Sequence, residues 1–378
     1  MRLRIAIVIS DIFLRRLTPA LFPFVRNQQD YWIIDIHRPI NELASLLREL
    51  QPVGILTEWL PEKTEAILEL GLPTVIADTD EAFPYAISLD VDDWKVGARA
   101  ATFFIHSGFQ SFAFLGNRNP YSLQRLEGYQ AELQKNGHSC QVHEDRETKR
   151  KTYMEHFRGQ SPKLERWLKS LPKPTALFAA HDPLGRLACE VCHECQIAVP
   201  EELAVVGANN DELLCNLSYP PLSSVMIPWL KIGQQAGELL EGLIKRGEKA
   251  GQVIAIEPGQ VVPRKSSDFT AVENNELRRA LEYMRLHFHE GSSIQSICQA
   301  LKINRRSLEI KCKSSLGRSP RHELVRMRLE KAKELLVQTD HKMDWIALQS
   351  GFSDAERLSV VFKKITGQTP SSFRSQFR

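Results

Sequence analysis

Ser293–Gly317 reads SIQSICQALKINRRSLEIKCKSSLG, and Met343–Gly367 reads MDWIALQSGFSDAERLSVVFKKITG. Setting Leu308 on Leu358 brings the two into register. Each opens with a short apolar helix, carried by Ile294, Ile297 and Leu301 in the first and by Trp345, Ile346 and Leu348 in the second. Each then breaks, at Lys302–Ile303–Asn304 and at Gly351–Phe352–Ser353, and resumes with a polar-started helix of 3.6-residue apolar period. Two such units in one segment are an internal repeat of helix-turn-helix type.

The side chains suit that form. Asn304, and Ser353 or Asp354, can cap the second helix of each unit. Past the caps come Arg305, Arg306 and Glu309, and in the second unit Glu356 and Arg357. Arg reads guanine and Glu accepts from cytosine in the major groove. With Asn304, Asp354, Lys313, Lys363 and Lys364 these make the candidate DNA-contacting set. Between the units, Pro320–Thr339 repeats its apolar residues at three- and four-residue steps. About twenty residues at about 1.5 Å rise give a rod of about 30 Å, close to one DNA turn of about 34 Å. Such a rod holds two reading helices in successive major grooves. Two in-register units with a connecting helix make an ordinary helical bundle the weaker reading.

The ending FKKITGQTPSSFR, Phe362–Arg374, resembles the signature of the AraC/XylS-type transcription regulators, as does the span from about 275 to 376. The resemblance implies that both units bind double-stranded DNA, the second often as the weaker reader. Cys312 stands where that family usually has Phe, a departure expected to affect packing.

Charge agrees with a nucleic-acid end on a mildly acidic body. Ser266–Arg378 carries 20 Lys and Arg against 13 Asp and Glu, while the whole chain of 378 residues is only +3. No run of apolar residues is long enough to span a membrane. The opening MRLRIAIVIS reads as a first strand from Arg4, not as a signal peptide. Seven cysteines, an odd number in a long chain, point to reduced thiols and a cytoplasmic, nucleoid-associated setting.

The body alternates short apolar runs with helical patterns. Ile5–Ile9, Trp32–Ile36, Val53–Leu56 and Thr74–Ala77 are separated by helices that include Ile40–Leu50 and Pro61–Leu70. Ser111–Leu115, Leu177–Ala180 and Leu203–Val206 follow, with helices Arg125–Asn136, Lys163–Ser170 and Pro183–Cys195. This is the pattern of parallel sheets built from βαβ units, in two α/β lobes. The pieces VG…A…F…GF.S.AFLG, R..GY, HD..G, VPEEL.VVG and PPLSSV, followed by VVPRKSS, resemble in that order the effector domain of the LacI/GalR regulators over about residues 3 to 265.

The resemblance implies a two-lobed, periplasmic-binding-protein-like (type I) sensor, with one lobe of about 3–107 plus 223–247 and another of about 109–221 plus 252–265. That family's N-terminal DNA-binding headpiece has no counterpart ahead of the first strand. The expected domains are a sensor at 1–265, a polar linker at 266–274 and an all-α AraC-type DNA-binding domain at 275–378.

Ligands of open α/β sheets bind beyond the carboxyl ends of strands. That selects Asp11 and Phe13 after the first strand, Asp78 after the fourth, His181 and Asp182, and Asn209. Carboxylates and amides bridge sugar hydroxyls, and aromatic faces cover sugar C–H groups. Trp229 holds the position where such sensors often place a stacking aromatic. Sugar-binding relatives usually have Arg, Asn and Asp at Leu123, His181 and Asn209. Arg125 is expected to hold its own helix, and Asp182 to cap the helix it begins.

CEVCH, Cys189–His193, matches a haem-attachment pattern, but its helical period makes it a helix packed on the sheet. No phosphate-binding loop, nucleophile elbow or zinc-protease motif occurs, and no cofactor or metal is expected. The expected function is a DNA-binding transcription regulator, an activator, that responds to a small sugar. A pentose such as xylose is favoured as effector, in a homodimer that contacts RNA polymerase. Two alternatives stay open: a constitutive DNA-binding protein whose sensor only dimerises, and a sugar-processing enzyme with a helical tail.

Overall fold

A computed structural model describes residues 4–11, 13–17, 20–21, 30–144, 161–246, 250–268, 275–316 and 318–377. In chain order the first elements are β1 (Arg4–Ile9), β2 (Asp30–Asp35), α1 (Ile40–Leu50), β3 (Gly54–Glu58), α2 (Pro61–Leu68), β4 (Thr74–Ala77) and β5 (Ala86–Val91). Then come α3 (Asp93–His106), β6 (Ser111–Gly116), α4 (Pro120–Lys135), β7 (Cys140–Glu144), α5 (Ser161–Ser170), β8 (Thr175–Ala179), α6 (Asp182–Glu194) and β9 (Leu203–Asn209). The middle of the chain closes with α7 (Glu212–Leu217), β10 (Ser223–Met226), α8 (Trp229–Arg246), β11 (Gln252–Ile256) and β12 (Val261–Val262). The helical end consists of α9 (Asn275–His287), α10 (Ile294–Leu301), α11 (Arg305–Leu316), α12 (Pro320–Gln338), α13 (Met343–Gln349), α14 (Ala355–Thr366) and α15 (Pro370–Phe377).

Two compact units result, one of Met1–Asp92 with Ile227–Pro258, the other of Asp93–Met226 with Gly259–Arg378. The first is built on a six-stranded sheet in the order β11-β5-β4-β3-β1-β2. Its strand pairs are all parallel. Such strands are covered on both faces, so β1 reads as a continuous apolar run, buried from Ile5 to Ile9. One face buries Ala6, Val8, Ile34 and Ile55 against Leu43, Leu47 and Ile67 of α1 and α2. On α8, Leu240 and Ile244 close over Gly54 so tightly that a methyl there would stand 2.6 Å from Ile244 Cδ1.

The second unit holds the sheet β12-β10-β9-β8-β6-β7, parallel except where β12 runs against β10. Its α3 and α4 cross at backbone distance. A methyl on Gly97 would stand 1.9 Å from the Arg125 carbonyl oxygen, and one on Gly128 would stand 1.8 Å from that of Trp94. The glycines of VG and R..GY are therefore the crossing point of two helices.

Three expectations on the lobes are corrected. β10, placed with the first lobe at 223, pairs with β9 of the second sheet through Ser223↔Val206. β11, placed with the second lobe, pairs with β5 of the first through Ile254↔Leu89. The stretch 93–106 also moves, because the Gly97–Gly128 crossing fixes α3 to α4. The expected linker 266–274 begins as a 3-10 turn at Lys265–Ser267, and its part from 269 onward lies outside the described residues.

The helical end has two cores. Leu277, Leu281, Met284, Ile297, Leu308, Cys312 and Leu324 form the first. Leu329, Leu336, Ile346, Leu358, Phe362 and Phe373 form the second. α12 supplies residues to both.

Candidate ligand site and nucleic-acid interface

In the first unit the strand rule brings several polar and aromatic groups to neighbouring strand ends. Buried Ser10, after β1, donates from Oγ to Glu58 Oε2 at the end of β3, 2.9 Å away. Asp11 is exposed and Phe13 half-buried. The Phe13 ring meets Trp229 edge-on at 5.6 Å between centroids. Arg16 places its guanidinium 4.9 Å from the Trp229 centroid, covering one face of the indole. Gly233 lets the post-β1 segment approach α8, since a methyl on it would stand 2.8 Å from Ala20 Cβ.

Asp78, exposed after β4, has φ +67° and donates its N–H to the Leu89 carbonyl at 2.9 Å. Asp is among the few residue types that tolerate this backbone region. Trp59, after β3, leans on Phe83 at 5.0 Å. The rule that selected Asp78 selects Trp59 and Glu58 equally, so these two were missed for want of applying it to β3.

In the second unit Arg125 organises the strand ends. It is 5% exposed. Its Nε donates to Asp93 Oδ1 at 2.6 Å, and its Nη1 donates to the Ala180 carbonyl at 2.5 Å and to Asn209 Oδ1 at 3.4 Å. The guanidinium also lies 5.1 Å from the Tyr121 centroid, and Tyr121 lies 6.0 Å from the His181 ring. Arg125 thus holds its helix, as expected, and also brings Tyr121, His181 and Asn209 to one place. Asn209 and Asn210 both have positive φ, +109° and +50°. Leu123 is 42% exposed on the first turn of α4.

Asp182 departs from expectation. It is fully buried. Its Oδ2 accepts from the Asp211 N–H at 2.8 Å and its Oδ1 from Ser224 Oγ at 2.5 Å. A methyl on Gly207 would stand 2.5 Å from the same Oδ1. Capping of α6 falls instead to His181, whose Nδ1 accepts from the Leu184 N–H at 3.2 Å. Asp182 is therefore a framework carboxylate joining α6, β9 and β10. The HD..G, VVG and PPLSSV motifs meet at it. Arg264 and Ser266 of VVPRKSS complete this framework, donating to Asn210 Oδ1 at 2.9 Å and to the Val205 carbonyl at 2.7 Å.

CEVCH lies on α6, where Cys189 and Cys192 are buried against the sheet. Burial pushes the Cys192 thiol up to about 12. Among the described residues no cluster of His, Cys, Asp and Glu has the arrangement of a metal site. Among the described residues no helix is long and apolar enough to cross a membrane.

The helical end carries both reading units. Asn304 Oδ1 accepts from the Ser307 N–H at 3.1 Å, and Asp354 Oδ1 from the Arg357 N–H at 2.6 Å. That N–H and the Ser353 hydroxyl hold the Asp354 carboxyl below its ordinary range. On α11, Leu308, Cys312 and Leu316 face the core, leaving Arg305, Arg306, Glu309 and Lys313 exposed. Arg305 Nε donates to Glu309 Oε1 at 2.9 Å, which pre-sets both side chains. On α14, Leu358 and Phe362 face the core, leaving Glu356, Arg357, Lys363 and Lys364 exposed.

Sequence reasoning missed what joins the two units. Arg328, in the middle of α12, donates to the carbonyls of Phe288 at 3.1 Å and Ser292 at 2.7 Å, ahead of the first unit. Gly351, the break of the second unit, lies against the same Phe288 carbonyl, where a methyl would stand 2.1 Å away. At the other end of α12, Glu323 is buried between Arg318 and Arg326, at 2.5 and 2.6 Å. Arg318 also donates to the main-chain carbonyl of His106, the last residue of α3.

Two domain families match: a periplasmic binding protein-like domain over residues 101–267 and a helix-turn-helix domain over 297–376. The xylose operon regulatory protein of Haemophilus influenzae is 27% identical over 377 residues, covering 97% of this chain and 96% of that protein. Its Escherichia coli (strain K12) counterpart is 25% identical over 369 residues, covering 95% and 93%. Among solved structures, xylose-binding transcription activator xylR superposes with a TM-score of 0.62 at 24% identity, covering 99% of this chain and 98% of that one. A transcriptional regulator CelR–cellobiose complex superposes at 0.59 and 20% identity, covering 70% and 86%. The likeness to the xylose operon regulators runs over sensor and reader together.

Proposed function

We propose that this chain is a sequence-specific DNA-binding transcription regulator, an activator, governed by a small sugar bound in its sensor. One observation carries the reading. Two capped reading helices, each with its core side buried and its charged side exposed, stand at the two ends of a 19-residue helix. At about 1.5 Å per residue that helix is about 28 Å long, near one turn of duplex. The same chain carries a binding-protein-like domain, and full-length relatives are xylose operon regulators.

Xylose or a related pentose is therefore the effector to expect. Taken unit by unit, Asp11 and Asp78 of the first offer carboxylate acceptors for its hydroxyls, with the Phe13 and Trp229 rings for its C–H side, and His181 and Asn209 of the second offer polar side chains. Asp182 is left out of this set because both of its oxygens serve the framework. The sensor shifts the reader only through a difference in ligand affinity between two states. The chain is read as a cytoplasmic homodimer without catalytic activity that contacts RNA polymerase from its operator. The domains are 1–265 for the sensor, 266–274 for the linker and 275–378 for the reader. A second reading, a constitutive regulator with an unliganded sensor, draws support from Leu123, which offers no hydrogen bond where sugar-binding relatives have Arg.

Two measurements test the proposal. Full-length protein should bind duplex DNA with an affinity that falls steeply with salt, by several log units per log unit for several phosphate contacts. Xylose should raise its melting temperature by mass action. Asp78→Ala should weaken the xylose affinity derived from that shift about tenfold or more, the worth of a hydrogen bond to a charged group. A salt-independent DNA affinity would exclude the regulator. Salt-dependent binding with no response to any pentose or hexose would leave the constitutive form.

A further inference from the structure

Ile310 and Val360 are exposed aliphatic side chains, at 62% and 55%, on the two reading helices. Isolated exposed apolar residues are ordinary on protein surfaces. These two are set apart by position. Each is the sixth residue of its helix, counted from Arg305 and from Ala355. They occupy the same place in the repeat whose core positions match as Leu308 with Leu358 and Cys312 with Phe362. The other strongly exposed apolar residues of the two units, Leu348 and Ile365, have no such match: their counterparts are buried Cys298 and polar Ser315.

The neighbours complete the argument. At helical spacing Ile310 shares its face with Arg306, one turn before, and Lys313, one turn after. Val360 shares its face with Glu356 and Lys363, and Lys313 and Lys363 are themselves matched in the repeat. An apolar side chain flanked in this way by groups suited to phosphates and base edges lies in the middle of the reading surface. The apolar feature that a B-form major groove offers there is the C5-methyl group of thymine.

We infer that Ile310 and Val360 are specificity-determining residues, each packing on one thymine methyl, in two successive major grooves of the same DNA face. The inference rests on the DNA-reading role proposed above.

The test uses the full-length chain and a duplex enriched by it from a random-sequence library. Each thymine of that duplex is replaced in turn by deoxyuridine, which removes only the methyl group. Two sensitive positions are expected per protomer, about ten base pairs apart, each weakening binding about fourfold, the worth of one buried methyl. Ile310→Ala should abolish the sensitivity at one position and Val360→Ala at the other. Both sites are exposed and Ala is a good helix former, so neither variant should unfold the domain. Enrichment of a defined duplex that tolerates deoxyuridine everywhere would overturn the inference and leave the reader intact. Sensitivity unchanged in both variants would overturn it equally. Failure to enrich any duplex would overturn the DNA-reading role itself.

Discussion

Gly128 shows how one residue fixes the architecture of a lobe. A methyl there meets the Trp94 carbonyl at 1.8 Å, and backbone on both sides leaves it no room to move. Gly128→Ala should therefore cost about 3 kcal/mol, at the upper end of overpacking penalties, by forcing α3 away from α4. Thermal unfolding of the full chain should show the sensor transition lowered while the helical end melts as before. The motif R..GY was legible in the sequence, but its cause was not. A pattern records that glycine stands there, whereas the clash partner lies some thirty residues away and emerges only when α3 and α4 cross. The same limit explains Asp182. Its place after a strand marked it as a ligand group, and only the fold shows Ser224 and the Asp211 N–H occupying its oxygens.

At the scale of the element, the paired helices were the most legible part of the chain. Their signals are local: a cap, a break and a 3.6-residue period. The edge strand β7 was among the least legible, because polar Gln141, His143 and Glu144 break the apolar run that betrays a buried strand. Cys312 illustrates how an element adapts. Its counterpart Phe362 packs edge-on against Phe373 at 5.4 Å. In the first unit the core around Cys312 is filled by Leu277, Leu281 and Met284 of α9. Cys312→Phe should then destabilise the first unit by about 1–3 kcal/mol through overpacking. Burial pushes the Cys312 thiol up to about 11, so at pH 8 it is protonated and shielded. Alkylation followed by mass spectrometry should find Cys312 unmodified in the native protein and modified once denaturant is added.

At the scale of the whole molecule, the chain joins a helical reader with a surplus of Lys and Arg to a body that is slightly acidic. The contact from Arg318 to the end of α3 gives that joint a chemical character. Burial raises the Glu323 carboxyl, but Arg326 and Arg318 outweigh it and hold the group below its ordinary value. His106 is exposed at the end of α3, yet partial desolvation and the same two arginines lower it, so it stays neutral near pH 7. Both folded-state values lie below the unfolded ones, so both contributions are complete at high pH and lost on acidification. His106 begins to weaken the joint below about pH 6.5 and Glu323 below about pH 4.3. Glu323→Gln should cost about 3 kcal/mol at pH 7 by leaving two partly buried arginines underpaired. It should also remove the lower of the two acid transitions, as followed by near-ultraviolet circular dichroism.

α12 has a further consequence, which is one of angular phase. Leu324 belongs to the first core and Leu329 to the second, with Arg328 tying the span to the Phe288 and Ser292 carbonyls. The heading of the second reading helix relative to the first is therefore set by the residue count between those two leucines. One inserted residue would advance the second reader by only about 1.5 Å but swing it through about 100°. A base-pair step turns the duplex by about 35°, so that swing equals a shift of about three base pairs. The helix works as a gear between two screws of different pitch, and its tooth count states how far apart the halves of the recognised sequence must lie.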